Sequence, residues 1–219
     1  MHILLTDVLR CPRCGPEFGL VLLADRVEER RIQEGRLGCA NCRETYPIRG
    51  GEADLRVPGG EALPAGAQGA GDGEEAVRVA ALLGLAEPWG SVLLLDGGAE
   101  LAEAVAALVP GVEVVAASAA PAGGEAWGVT RVAAGLPLPF APRSLRGVAL
   151  GGEGAGSALD EAARVVAQGG RVLVRGGPEG TAARLAAAGL SVLLDQEGVV
   201  VAGRSGGAPS PLRTPSAAG

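Results

Sequence analysis

The chain has 219 residues, 47% of them apolar, but only two Phe, two Trp and one Tyr, so its core must be Ala, Val and Leu packed around 37 glycines. The net charge is −6: nine Arg balance nine acids over residues 1–58, ten Arg face sixteen acids beyond, and there is no lysine. Such a chain has no basic face for nucleic-acid phosphates, too few aromatics to stack bases, and no apolar run long enough to span a bilayer. Direct nucleic-acid binding and membrane insertion are therefore not expected. The start, "MHILLTDVLRCPRCG", lacks the basic opening and small-residue cleavage site of a signal peptide, which points to the cytoplasm.

The first motif is a pair of identical spacings, "CPRC" at 11–14 and "CANC" at 39–42, with 24 residues between them. Each C-x2-C turn can present two thiolates about one tetrahedral edge apart, and two such knuckles complete a closed four-thiolate site. Cys11, Cys14, Cys39 and Cys42 are thus expected to bind one structural zinc. Two disulfides are disfavoured in a reducing compartment. The stretch between the pairs reads as a hairpin turning near Glu34-Gly35, and His2, beside the first Met, is not assigned as a ligand.

The segments "LTDVLRCPRCGPEFGL" and "GRLGCANCRETYPIRGGEADL" resemble the zinc ribbon of the tRNA-methyltransferase activator subunit family over residues 3–56. In that family the second knuckle runs into Tyr-Pro-Ile, here Tyr46-Pro47-Ile48, and exits through a Gly-x-Pro-x-Leu-like stretch in which this chain has Ala53 for the Pro. The resemblance implies a methyltransferase companion, either a separate protein or a fused one. Residues 1–56 are read as this ribbon and 57–73, rich in Gly, Pro and Ala, as a linker. Residues 74–203 are read as a second domain and 204–219 as a tail without core-forming pattern.

Within 74–203 helical and strand patterns alternate. Helices are predicted at 74–85, 99–109, 157–168 and 179–189, and strands at 91–96, 112–118, 127–134, 145–151 and 169–176. The end, "SVLLDQ" and "VVVAG" around an "EG" turn, is a hairpin that adds one antiparallel strand. The fold class is α/β: a small β-rich ribbon, then a Rossmann-like parallel sheet wound on both faces. This order, and the stretches 135–150 and 159–177, resemble a class I S-adenosylmethionine (SAM) methyltransferase.

That resemblance makes demands the residues do not meet. The family loop after strand one runs hydrophobic-Asp-hydrophobic-Gly-x-Gly-x-Gly. Its acid falls on Leu94, its first glycine on Asp96 and its third on Glu100, with Gly98 alone retained. A register shifted by two gives Asp96 the acid's role, followed directly by Gly97 and Gly98. The ribose-binding acid of strand two falls on Ala116 or Ala117, the adenine-facing acid after strand three on Ala133 or Ala134, and the strand-four aspartate on Arg146. A charge-assisted hydrogen bond nets ~1.5–3 kcal/mol, and about 1.4 kcal/mol is a tenfold change in affinity. Losing several such contacts takes a micromolar site to millimolar or worse, so SAM is not expected as a cofactor.

No other catalytic set replaces it. There is no second histidine, no cysteine outside the knuckles and no Gly-x-Ser-x-Gly elbow, and Ser144, Ser157 and Asp160 read as turn and cap residues. The expected function is non-catalytic: a zinc-binding scaffold or accessory subunit held in a complex with a protein partner. The alternatives are an active SAM-dependent methyltransferase of RNA or protein with an atypical pocket, and a ribbon that activates a separate methyltransferase.

Overall fold

The computed structural model describes residues 1–64, 73–87, 89–95, 99–123 and 126–205. The expected loop Asp96, Gly97 and Gly98, residues 65–72 of the expected linker and nearly all of the expected tail lie outside the described residues. Among those described, no helix is long and apolar enough to cross a membrane.

The ribbon supplies four antiparallel strands: β1 (Val21–Glu28), β2 (Arg31–Gly38), β3 (Thr45–Arg49) and β4 (Glu52–Asp54). The hairpin turns at Glu29-Arg30, not near Gly35 as the glycine suggested. Both turn residues have positive φ (45° and 65°), the backbone of a two-residue hairpin turn that usually takes Asn-Gly. Gly35 lies inside β2 instead, where a Cβ would come within 2.6 Å of the Leu23 carbonyl oxygen. It is required by close approach of the two strands rather than by a turn.

A short β5 (Glu61–Ala62) and helix α1 (Gly73–Leu83) lead into the α/β part. There follow β6 (Ser91–Leu94), α2 (Ala99–Leu108), β7 (Glu113–Ser118), β8 (Val129–Ala133), β9 (Gly135–Leu136) and β10 (Leu145–Gly151). The chain continues through α3 (Leu159–Val165), β11 (Val166–Arg175), α4 (Thr181–Ala187), β12 (Ser191–Gln196) and β13 (Val199–Gly203). Strands β8, β7, β6, β10 and β11 are parallel neighbours in that order, and β13 then inserts antiparallel between β11 and the outer β12. This is a doubly wound sheet whose order reverses between β6 and β10, with helices and strands alternating as predicted.

Every residue of β10 is buried, the mark of a central parallel strand covered on both faces. One face packs under α1 and α2 through Val79, Leu83, Leu101 and Val105, the other under α3 and α4 through Leu159, Ala162 and Leu185. Helix α3 is shorter than predicted. Its first turns are 3-10 helix (Glu153–Ala158), and at Val166 the backbone is already extended and paired with Leu145. The Gly169-Gly170 pair sits within β11 as an irregularity, where a Cβ on Gly170 would meet the Arg146 carbonyl oxygen at 2.5 Å.

The ribbon and the α/β part share one sheet of eleven strands because β4 pairs in parallel with β8, Ala53 opposite Val132 and Asp54 opposite Ala133. Ala53, unlike the Pro of the resembled ribbon, keeps its N–H in a strand that is paired on both sides. The seam extends beyond this ladder. Arg10 N–H donates to the Pro139 carbonyl (2.9 Å), Ala141 N–H to the Val8 carbonyl (2.8 Å), and fully buried Leu9 lies opposite fully buried Phe140. The Glu52 carboxylate accepts from Ala122 N–H (3.0 Å) and Gly123 N–H (2.8 Å), fixing the loop after β7. Arg31 crosses from β2 to Glu113 at 3.2 Å and also donates to the Val129 carbonyl, with side chains 8% and 15% exposed.

Removing one member of a buried ion pair strands the other charge, at a cost of about 3–5 kcal/mol. Arg31→Met is therefore expected to lower stability by about 3 kcal/mol in urea unfolding, with metal content unchanged. A loss below about 1 kcal/mol would mean that the ladder and the apolar contacts alone hold the seam.

Candidate metal centre and strand-end crevice

The two knuckles are built alike. Gly15 N–H donates to the Cys11 carbonyl and Arg43 N–H to the Cys39 carbonyl, each at 2.9 Å, closing a turn around each C-x2-C. In both, the residue after the second cysteine has positive φ: 96° at Gly15 and 63° at Arg43. Strand pairing between β2 and β3 then brings the knuckles together. The four Sγ atoms lie within 4.8 Å of one another, Cys11 and Cys42 at 3.7 Å and Cys14 and Cys39 at 3.8 Å.

These separations are far longer than a disulfide of about 2.05 Å. They match the edge of a tetrahedron with metal–sulfur bonds of about 2.3 Å, which is about 3.8 Å. The surroundings favour thiolate. Cys14 N–H and Asn41 Nδ2 point at sulfur at 3.4 and 3.3 Å, and the Tyr46 hydroxyl lies 3.5 Å from Cys11 Sγ. Burial pushes the Cys39 thiol up, yet N–H groups of Cys42 and Asn41 and the neighbouring thiols bring it down to about 7. Cys42 accepts from Glu44, but desolvation and three adjacent sulfurs push it up to about 12. The Cys39 thiolate thus forms readily while Cys42 resists further negative charge. A dication at the centre would relieve that resistance, so the cluster could hold a metal ion.

His2 is not in this cluster: its Nδ1 accepts from Leu4 N–H at 3.3 Å, capping the first 3-10 turn, and its N–H donates to Thr130 Oγ1. The sequence reading gave no role at the site to Asn41, Tyr46 or the strained Arg43. Tyr46 had a signal in the Tyr-Pro-Ile that follows the second knuckle, whereas Arg43 had none.

The other candidate region is the crevice outside the carboxyl ends of the parallel strands. Leu94 and Leu95 are buried, and Glu100 is exposed in the first turn of α2. Ala116 and Ala117 are both buried, one under each face of the sheet, so neither reaches the mouth of the crevice. The last residue of β7 is Ser118, whose hydroxyl donates to the Ala120 carbonyl at 2.5 Å. The strand-end position is therefore Ser118 rather than Ala117. Ala133 and Ala134 are buried at the end of β8. Arg146 does not face the crevice: its guanidinium donates to Gly84, Glu87 and Trp89 carbonyls beyond α1 and lies over the Trp89 ring. Ser144 and Ser157 bond local carbonyls, and Asp160 pairs with Arg184, as turn and surface residues do.

Across this crevice runs the stretch after β4, in which β5 pairs with β9. The cavity left between them is about 150 Å3, lined among others by Pro12, Val57, Glu61, Ala119, Ala134 and Pro137. At its rim Arg56 holds the Asp54 carboxyl below the usual carboxylate range.

Residues 2–51 match the family model described as Trm112p-like protein. No curated protein matches the chain. Among solved structures, geranyl diphosphate methyltransferase in complex with SAM is similar at 12% identity and TM-score 0.48, covering 60% of this chain and 85% of that one. The antibiotic-resistance methyltransferase Kmr is similar at 15% identity and TM-score 0.44, over 60% and 93% of the two chains. A complex of the Haloferax volcanii Trm112 methyltransferase activator with a methyltransferase gives 15% identity and TM-score 0.43, over 59% and 88%. Scores below 0.5 add nothing to the fold that the strand order already defines.

A non-glycine residue in the left-handed region costs roughly 1–2 kcal/mol. Arg43→Gly is thus expected to raise the stability of the metal-loaded protein by up to about 1 kcal/mol in thermal unfolding, after the larger backbone entropy of Gly is offset. A loss of stability would mean that Arg43 makes a contact worth more than its backbone strain.

Proposed function

We propose that the chain is a non-catalytic, zinc-binding protein that joins an activator-type ribbon to a methyltransferase-like α/β fold and serves as a scaffold or accessory subunit in a protein assembly. What carries the reading is the crevice. Ala and Ser stand at the ends of β7 and β8 where a nucleoside cofactor would need acids.

Cys11, Cys14, Cys39 and Cys42 are proposed as the ligands of one structural zinc. Four thiolates at tetrahedral spacing leave no open position, so the ion would close the ribbon and bring no substrate chemistry. Four reduced cysteines fit a cytoplasmic location. One observation favours the second reading, an active SAM-dependent methyltransferase of RNA or protein with an atypical pocket. Glu61, exposed on β5, lines the crevice cavity together with Ala134, where the adenine-facing acid is missing.

Purified protein is expected to carry one equivalent of zinc by elemental analysis. Cys39→Ser should lose it and unfold the ribbon, since such sites contribute on the order of 10 kcal/mol. Less than about half an equivalent in freshly purified wild type would remove the assignment.

Titration calorimetry with SAM and with S-adenosylhomocysteine is expected to show no binding at about 100 µM ligand, within the usual range of Michaelis constants. A dissociation constant below that concentration would restore the methyltransferase reading. Ser118→Asp combined with Glu100→Gly should recover measurable affinity without loss of fold. The same acid at buried Ala117 should instead destabilise the protein by several kcal/mol, as an unpaired buried carboxylate does.

A further inference from the structure

We infer that Tyr46 tunes the metal centre from outside its ligand set: the hydroxyl donates to the Cys11 thiolate and so sets how tightly the ion is held. The inference rests on the zinc reading above and goes beyond it. Tyr46 lies on β3 opposite Leu37 of β2, and only 4% of it is exposed. A buried phenol hydroxyl needs a hydrogen-bond partner. Among the described residues this one has a single partner, Cys11 Sγ at 3.5 Å. A metal-bound sulfur carries no proton, so between the two the hydroxyl must be the donor.

The other donors differ in kind. Cys14 N–H points at Cys11 Sγ at 3.4 Å, Cys39 accepts from the N–H groups of Cys42 and Asn41, and Cys42 accepts from that of Glu44. These amides come with the backbone of the two C-x2-C turns. Among the described residues, only Tyr46 and Asn41 bring the sulfurs a side-chain donor other than a thiol. Both reach across from the second knuckle to the first. Asn41 is exposed, so water can replace its amide beside Cys14 Sγ, 3.3 Å away. At buried Tyr46 a lost hydroxyl leaves only an apolar ring edge against the thiolate. The two donors are therefore unequal, and Tyr46 contributes more. Charge-assisted bonds from outside a ligand set are worth about 10–100-fold in metal affinity.

The test uses the full chain. Tyr46→Phe keeps the ring and removes only the oxygen. By competition with a chelator, its zinc affinity is expected to fall about 10–100-fold, and that of Asn41→Ala to fall less. With cobalt(II) as the probe in place of zinc, the sulfur-to-metal charge-transfer band of Tyr46→Phe should move to lower energy. The Cys11 lone pair is then no longer stabilised by a hydrogen bond. Tyr46 is the one tyrosine of the chain, so growth on 3-fluorotyrosine changes this phenol alone. As the stronger donor it should move the same band to higher energy. A tyrosine that merely fills space would give neither shift. Unchanged affinity in Tyr46→Phe, or a band that stays in place, would overturn the inference while wild type still carries one equivalent of zinc. Wild type with less than about half an equivalent would overturn the zinc reading and the inference together. If Tyr46→Phe does not fold, the fluorotyrosine arm decides alone.

Discussion

A β-strand at the edge of a sheet presents unpaired N–H and C=O groups, and something must cover them. In this protein that requirement falls on β8. All five of its residues are buried, and two of them, Thr130 and Arg131, are polar. Strand β8 can be buried to that degree because β4 covers its outer edge and the ribbon covers the groups around it. The apolar cluster on one face runs without a break from Met1, Leu5 and Leu9 through Phe140 to Val166 and Leu185. The ribbon is therefore part of the core, and the four cysteines organise the end of a sheet that continues across the whole molecule.

Much of this was readable in the sequence because it depends on local chemistry. The two C-x2-C turns, the strand at 145–151 and the closing hairpin around Glu197-Gly198 follow from spacing, from continuous apolar runs and from turn residues. What was not readable depends on contacts far apart in the chain. The turn at Glu29-Arg30 has no glycine to mark it, and Gly35 looks like a turn residue because only the Leu23 carbonyl reveals what it is for. The early end of α3 is decided by the pairing of Val166 with Leu145. The pairing of β4 with β8 joins segments almost eighty residues apart, and no local pattern encodes it.

Several positions where the resembled enzymes carry acids serve the packing of this chain. Arg146, at the position where the resembled enzymes have an acid, satisfies the carbonyls that follow α1, and Arg171 reaches the Leu82 carbonyl beside it. A helix end left bare inside the molecule would need such partners. The alanines at the strand ends fill both faces of the sheet instead of reaching for a ligand. Along β7 both Ala116 and Ala117 are buried, one under each face, and only Ser118 at the end of the strand is partly exposed.

The outermost strands have irregularities of their own. Strand β1 has register shifts between Ala24 and Val27, and β12 has one between Val192 and Leu194. A bulge bends a strand and breaks the regular run of donors and acceptors that another strand would need for pairing. Asp25 and Arg26 put charge at the bend of β1, and Asp195 lies just beyond that of β12. A sheet this wide, with Val21, Leu23 and Leu193 exposed at its margins, would otherwise be a template for fibrous stacking. Kinked at both ends, the sheet offers no long regular edge for a further strand to join.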